Sequence, residues 1–470
     1  METFDVVVVG AGPGGYPAAI RAAQLGASAA IVEREQLGGT CLNWGCIPTK
    51  ALIAAADTYA RIKNAAALGI TVEGVRVDYP GMLAHKNRVV AQLKGGIKQL
   101  LAANGVKHFA GTAAFKDRGT LAVDGGTLIG ARKVIVATGS TAAMPSFLSR
   151  HERVVESRAF LDLEKLPAGM IVLGGGYVGC ELACMAALLG VKVTIVELLD
   201  DILGLVDADV RREVRGHMEK KLGIRILTGG ALENIEADGR GVRGRVGGET
   251  LQADLLLSAV GRLPVTDGLK LENAGLAPNA RGFVEADDFC RTKVATVFAV
   301  GDVTGKVQLA HYATAQGIAA AENAVGAKPR RHETLVPSVI FTAPEIGTVG
   351  LGEDEAVGQG RAVKTGKFRF AALGRALAAG ETTGFVKWIG DAATGQLLGA
   401  AAVGPHATEL IAGAATAIRS EQTAQEFART IVAHPTFGES WMEAAHALRG
   451  ECIHAAPVRK AEKRNTAANS

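Results

Sequence analysis

The apolar positions of this chain cluster in short unbroken runs that stop at glycine. Phe4-Asp5-Val6-Val7-Val8-Val9, Ala29-Ala30-Ile31-Val32, Met170-Ile171-Val172-Leu173, Val193-Thr194-Ile195-Val196, Leu255-Leu256-Leu257 and Val297-Phe298-Ala299-Val300 are of strand length with few polar residues between them. A strand that is apolar on both sides must be covered on both sides, so the runs predict parallel strands between helices. Lys133-Val134-Ile135-Val136 reads as a further returning strand, and small-residue stretches through Leu25 and Leu189 read as the first helix of each unit. Residues 51 to 107 read as mainly helical, apart from an irregular stretch from Gly69 to Pro80. From about residue 334 the pattern changes: Val336 to Phe341, Gly384 to Ile389 and Gln396 to Val403 read as antiparallel strands, and residues 407 to 430 as helices.

Glycines give two of these units a purpose. Gly10-Ala11-Gly12-Pro13-Gly14-Gly15 follows the first strand directly, and the second strand ends in Glu33. In this pattern the first glycine makes the tight turn, the second lets backbone amides approach a pyrophosphate, and the last lets helix and strand pack closely. The acid at the end of the second strand suits ribose hydroxyls. The same unit returns as Gly174-Gly175-Gly176-Tyr177-Val178-Gly179 with Glu197, and the step from Gly174 to Glu197 equals that from Gly10 to Glu33. "AAQLGASAAIVE" and "AALLGVKVTIVE" fall at matching offsets, so the duplication implies two dinucleotide sites. Small-residue turns close the units at "ATGS" (Ala137 to Ser140), "AVGR" (Ala259 to Arg262) and "AVGD" (Ala299 to Asp302), with Asp302 able to bind a sugar-like hydroxyl.

The expected architecture is α/β, with two Rossmann-like dinucleotide-binding domains and a C-terminal α+β domain. The expected boundaries are 1–147 for the first nucleotide domain, 148–266 for the second, 267–333 for a region returning to the first, 334–456 for the α+β domain, and 457–470 for a solvated tail.

Composition mostly excludes. Lys+Arg 51 against Asp+Glu 47 is near balance, and no basic stripe interleaves with aromatics, which argues against nucleic acid. The start, Met1-Glu2-Thr3-Phe4-Asp5, has neither a basic n-region nor a long apolar stretch, and no apolar run reaches the length of a membrane span. A cytoplasmic protein without a membrane span is expected. Six cysteines in 470 residues do not make a disulfide scaffold.

Two of them do carry a signal. Cys41 and Cys46 lie in Gly38-Gly39-Thr40-Cys41-Leu42-Asn43-Trp44-Gly45-Cys46-Ile47-Pro48-Thr49-Lys50, directly after the first nucleotide unit. Residues at this spacing sit about one helical turn apart if the backbone bends to suit, so the sulfurs could open and close as a disulfide. Two buried thiols, or half of a zinc site, are the alternatives. A structural zinc needs four ligands and no second Cys/His cluster lies nearby, so no metal is expected. In a reducing compartment a disulfide is more often catalytic than structural. Near the end stands His434-Pro435-Thr436-Phe437-Gly438-Glu439. A lone His is often only a packed or surface residue, but thiol exchange needs a base and an adjacent carboxylate would orient the ring. Cys180 and Cys184, one turn apart, read as buried small residues, and Cys290 carries no signal.

Together, the first glycine unit, "GGTCLNWGCIPTK", "ATGS", the second unit with Glu181, "AVGR", "AVGD" and "HPTFGE" resemble the flavin disulfide reductases, over residues 4 to 455. The resemblance implies FAD on the first unit, NAD on the second, and a homodimer formed by the C-terminal domain, with the His of one subunit serving the disulfide of the other. It implies that Cys41 exchanges with substrate, Cys46 contacts flavin, His434 is the base held by Glu439, and Lys50 and Glu181 pair near the flavin ring. The cofactor-binding positions it implies are Gly10, Gly12, Pro13, Gly14, Gly15, Glu33, Arg34, Gly39, Thr40, Lys50, Ala113, Ala137, Thr138, Gly139, Gly301, Asp302, Leu309, Ala310 and His311, and, around the second repeat, Gly174, Gly176, Tyr177, Val178, Gly179, Glu197, Ala259, Gly261 and Arg262. The members it is most similar to oxidise the dihydrolipoyl dithiol of a lipoylated protein in a 2-oxo acid dehydrogenase, acetoin or glycine-cleavage complex. No lipoyl domain precedes the first unit, so that group is expected on a partner protein.

Glu197 also has independent weight. A carboxylate there repels a 2′-phosphate and Leu198-Leu199-Asp200-Asp201 offers no arginine, so NAD is expected over NADP, and a glutathione reductase is disfavoured. A mercuric reductase would carry a vicinal cysteine pair near its C-terminus, where only Cys452 stands here. From another class, a redox-inert flavoprotein subunit would leave every redox element unused. Trp44, Ala343, Ala433 and Gly438 depart from the family's usual residues without removing the base.

Overall fold

The valine run becomes the strand Glu2–Val9 at the centre of the first sheet, and its side chains divide between two cores. Val7 and Val9 point into one apolar cluster and Val6 and Val8 into another, all almost fully buried. That alternation explains why Val6 to Val9 includes no polar residue, since neither face of that half meets water. The computed structural model describes residues 1–148, 150–326 and 328–456. They form two compact units, one of Met1–Gly204 with Met218–Thr334, the other of Leu205–His217 with the chain from Leu335 onward.

In the first unit, Lys107–Ala110, Ala29–Glu33, Glu2–Val9 and Thr127–Val136 pair in that order and in parallel. Thr127–Val136 is long enough to pair twice on its far side. Its first half meets the antiparallel Thr120–Val123, which continues to Ala113–Asp117, and its last residues meet Val297–Ala299 in parallel. The helices Gly15–Gln24 and Ala310–Val325 pack on the other face, so closely that a Cβ on Gly317 would lie 2.1 Å from Gly14 O.

The second repeat builds the same arrangement. Arg225–Leu227, Lys192–Val196, Gly169–Leu173, Leu255–Ser258 and Val154–Glu156 form a parallel sheet in that order, beside an antiparallel sheet of Glu233–Asp238, Gly241–Val246 and Glu249–Ala253. Ser140–Ala142 pairs antiparallel with Arg262–Pro264, tying the closing turn of one repeat to that of the other. The irregular stretch after Gly69 ends at Asp78, whose carboxylate caps the helix Tyr79–Ala103 by accepting from Gly81 N–H, with Pro80 inside the first turn.

The second unit is a five-stranded antiparallel sheet, Ser338–Ile340, Ile346–Gly350, Leu397–Val403, Phe385–Asp391 and Val363–Arg369 in spatial order. Ala407–Arg419, Ala424–Ala428 and Glu439–Arg449 are its main helices. In its core Trp388 packs edge-on against Phe427 and tilted against Trp441, and both indole N–H groups are satisfied, by Trp441 O at 2.9 Å and Leu410 O at 3.0 Å. Lys387, between Val386 and Trp388, points to the opposite face and is 1% exposed. There it meets Asp207 at 2.6 Å and Asp209 at 2.8 Å, which is why Leu205–His217 belongs to this unit. The sequence reading missed Ile346–Gly350 and Val363–Arg369, because glycine and lysine interrupt their apolar pattern. The expected solvated tail, 457–470, lies outside the described residues.

Candidate active site

Both glycine turns are set by contacts that only glycine permits. Gly10 has φ 99° and a Cβ there would lie 2.4 Å from Ala137 O, while one on Gly15 would lie 1.8 Å from Gly10 O. Gly174 and Gly179 repeat this, against Ala259 O at 2.6 Å and Gly174 O at 2.1 Å. The acids match as well. Glu33 accepts from Ala11 N–H at 2.7 Å and Glu35 N–H at 2.8 Å, and Glu197 from Gly175 N–H at 2.6 Å and Leu199 N–H at 2.8 Å. Each carboxylate therefore stands at the lip of its glycine turn, at a helix N-terminus, as a dinucleotide requires. Around Glu33 a cleft is lined by Gly10, Arg34, Ala113 and Thr138, and also by Thr112 and Asp267, which the sequence did not single out.

The cysteine stretch is anchored to the first turn. Gly38 N–H donates to Ala11 O, and Gly39 lies so near Gly12 that a Cβ on it would come within 2.7 Å of Gly12 Cα. The two cysteines do not share one helical turn. Cys41 lies in the short helix Gly39–Trp44, the chain breaks at Gly45, and Cys46 opens the 18-residue helix Cys46–Lys63. A Cβ on Gly45 would lie 2.9 Å from Thr40 O, so the break needs glycine. Both cysteines are free and half-buried.

This position makes the sulfurs unequal. The hydrogen bond donated by Cys41 draws the Cys46 thiol down to about 7, helped by the Lys50 cation and opposed by burial and Glu181. The helix N-terminus favours the same thiolate. The same bond, with burial, pushes Cys41 up. Lys50 pairs with the buried Glu181 at 2.7 Å. Burial also raises Tyr177, with Asp302, Cys46 and Glu181 acting with it against Arg262.

Three separate sequence motifs converge beside this pair. Ser140 Oγ donates to Asp302 at 2.5 Å, and Arg262 donates to Ser140 Oγ at 2.7 Å and Ser140 O at 2.8 Å. Ser140 ends the turn Ala137 to Ser140, but its partners lie far away in sequence and no spacing rule connects them. Leu309 precedes the helix Ala310–Val325, which carries His311. Gln316 on that helix accepts from Gly301 N–H and fixes the turn holding Asp302. Trp44 has a partner that nothing in the sequence signals: Arg158 lies 3.9 Å over the ring and pairs with Glu35 at 2.9 Å.

In the second unit, His434 Nδ1 donates to Glu439 Oε1 at 2.8 Å, leaving Nε2 with its lone pair. The other oxygen of Glu439 accepts from Thr436 N–H at 2.7 Å. Glu439 is the first residue of the helix Glu439–Arg449, so sequence neighbours are brought together by a turn running into a helix. A Cβ on Gly438 would make only ordinary contacts, so the family's usual serine would fit there. Cys180 and Cys290 are buried thiols, pushed far up and to about 12 by that burial.

Paired nucleotide turns and an unequal cysteine couple define a class, the dinucleotide-dependent disulfide oxidoreductases. The chain belongs to the pyridine nucleotide-disulphide oxidoreductase family, whose model matches residues 4–317, and the family's dimerisation domain matches residues 336–445. Among similar proteins, the dihydrolipoyl dehydrogenase of Chlamydia muridarum is 40% identical over 98% of this chain and 100% of its own length. That of Haloferax volcanii is 43% identical over 96% and 97%. Of solved structures, LpdA from Mycobacterium tuberculosis aligns with a TM-score of 0.89 at 28% identity, over 95% of this chain and 100% of the other. The flavoprotein disulfide reductase RclA from Escherichia coli aligns with a TM-score of 0.85 at 29% identity, over 93% and 98%. Among the described residues no helix is long and apolar enough to cross a membrane.

Proposed function

We propose that the chain is a dihydrolipoyl dehydrogenase: a cytoplasmic homodimer that oxidises the dihydrolipoyl group of a lipoylated partner protein and reduces NAD. The observation that carries the reading is the placement of the couple: Cys46 opens the helix Cys46–Lys63, Cys41 stands in the short helix before it, and the stretch is fastened to the first nucleotide turn. The two glycine turns with Glu33 and Glu197 fit one dinucleotide each, FAD on the first and NAD on the second. The carboxylate at Glu197 is held by backbone N–H groups rather than by an arginine, which supports NAD over NADP.

In the oxidised enzyme Cys41 and Cys46 are joined. His434 Nε2 takes the proton of one substrate thiol, and the thiolate attacks Cys41 Sγ, breaking the Cys41–Cys46 bond and leaving Cys46 as thiolate. The second substrate thiol then attacks the substrate sulfur of the mixed disulfide and expels Cys41, which takes up that thiol's proton, and the product leaves as lipoyl disulfide. One proton rests on Cys41 and the other on His434, so the exchange balances. Glu439 holds the imidazole with Nδ1 protonated throughout, and Lys50 stabilises the Cys46 thiolate. FAD, when bound, accepts the electron pair from the dithiol and supplies a hydride to NAD.

The test is turnover of the purified holoenzyme with dihydrolipoamide and NAD, beside Cys46→Ser and His434→Gln. Loss of NADH formation in both variants with flavin retained is the expected result. A flavin-loaded wild type that makes no NADH would instead favour a redox-inert subunit.

A further inference from the structure

After Gly450, at φ 76°, the chain turns back along the helix Glu439–Arg449 and is fastened to one buried carboxylate. Glu443 accepts from Cys452 Sγ at 3.2 Å on one oxygen and from His454 Nδ1 at 2.7 Å on the other, and its side chain is 7% exposed. Glu443 stands four residues after Glu439, so the two carboxylates share one helix face about one turn apart. Two imidazole–carboxylate pairs thus lie in register, His434 with Glu439 and His454 with Glu443.

We infer that His454 and Glu443 are positioning residues for the base: His454, bonded to Glu443 and positively charged when protonated, offsets the Glu443 carboxylate on the helix face shared with Glu439, which holds His434. The inference rests on His434 being the base. Two unshielded carboxylates one turn apart would together stabilise the His434 imidazolium. Burial alone would push Glu439 up, yet the bonds from Thr436 and His434, with the charges of His434 and His454, hold it below its ordinary range. Other charged groups lie around this helix: His406 packs on Phe437 and faces Glu381, and the buried Nδ1 of His446 has no hydrogen-bond partner among the described residues. Lys367 and Arg369 bind Asp209 and Glu213, Lys387 binds Asp207 and Asp209, Glu426 caps its own helix, and Arg449 binds Glu451, with His446 and Arg429 acting on Glu451. The sheet side of the helix is apolar, with Ala444 O so close over Gly366 that a Cβ there would lie 2.1 Å away.

The experiment is the pH profile of kcat/KM for dithiol oxidation by holoenzyme carrying His454→Gln, His454→Arg, Glu443→Gln or His434→Gln. Removing the cation at 454 raises the proton affinity of His434, so activity is lost at higher pH as pH falls. The acid limb of His454→Gln should move up by about half a pH unit at low salt and return towards wild type at about 1 M salt. His454→Arg should keep the wild-type limb, and Glu443→Gln should move it down. A role in folding alone would not give opposite shifts, or shifts that salt removes. If His434→Gln is inactive and the His454→Gln limb is unmoved, or His454→Arg shifts as far as His454→Gln, this inference is overturned alone. If His434→Gln oxidises dithiol normally, the base assignment falls and this pair falls with it.

Discussion

The residue that decides most is Cys46. Its thiolate gains from the Cys41 hydrogen bond, the Lys50 cation and the head of an 18-residue helix, and loses to burial and Glu181. The gains win, so in the reduced protein the thiolate should titrate near about 7, as read by its ultraviolet absorbance. Lys50→Met removes a cation that favours the charged form, so the midpoint should rise by about one pH unit. A midpoint that stays put would show that Lys50 acts only through Glu181. The spacing of the cysteines was legible in the sequence, but their inequality was not. It depends on which sulfur opens a helix, and that is decided by the break at Gly45.

At the scale of elements, the strand Phe385–Asp391 shows how pattern reading succeeds and fails. Its apolar run identified a strand, but the one charged residue within it, Lys387, carried no signal of where it would point. It is buried, because Asp207, Asp209 and Glu353 from distant parts of the chain meet it. Lys387→Ala would take its lysine from Asp207 and leave Asp209 to Lys367 alone, and should destabilise the second unit by about 3–5 kcal/mol in chemical unfolding. A loss below about 1 kcal/mol would mean that water reaches the carboxylates freely. Glu439–Arg449 was missed as a helix for a related reason. Half of its apolar face, Ala444 and Ala445 between Trp441 and Leu448, is small residues that carry little signal until the sheet under them is known.

At the scale of the whole molecule, the internal duplication was the strongest sequence signal and is also the clearest structural one. The order of the first four parallel strands, the glycine contacts and the carboxylate bonds of the two repeats coincide, while the fifth strand comes from later in the chain in the first repeat and from earlier in the second. The dimerisation domain carries His434 and Glu439, and in the proposed dimer that base serves the cysteine couple of the partner subunit. Co-refolding equal amounts of inactive His434→Gln and Cys41→Ser chains should then restore about a quarter of wild-type activity, since half the dimers are mixed and each has one intact site. A mixture with no activity, although native mass spectrometry finds mixed dimers, would place the base and the couple in one chain.

The sequence by itself determined the two nucleotide turns, their acids, the cysteine couple and the His–Glu neighbours. Each depends on residues close in the chain and on backbone geometry that only glycine or a short turn permits. Only the tertiary structure decided that Arg262, Ser140 and Asp302 form one network, that Arg158 covers Trp44, and that His454 is bound to Glu443. Those contacts join segments that only packing brings together, and the energy of a polar contact depends on burial, which no local pattern encodes.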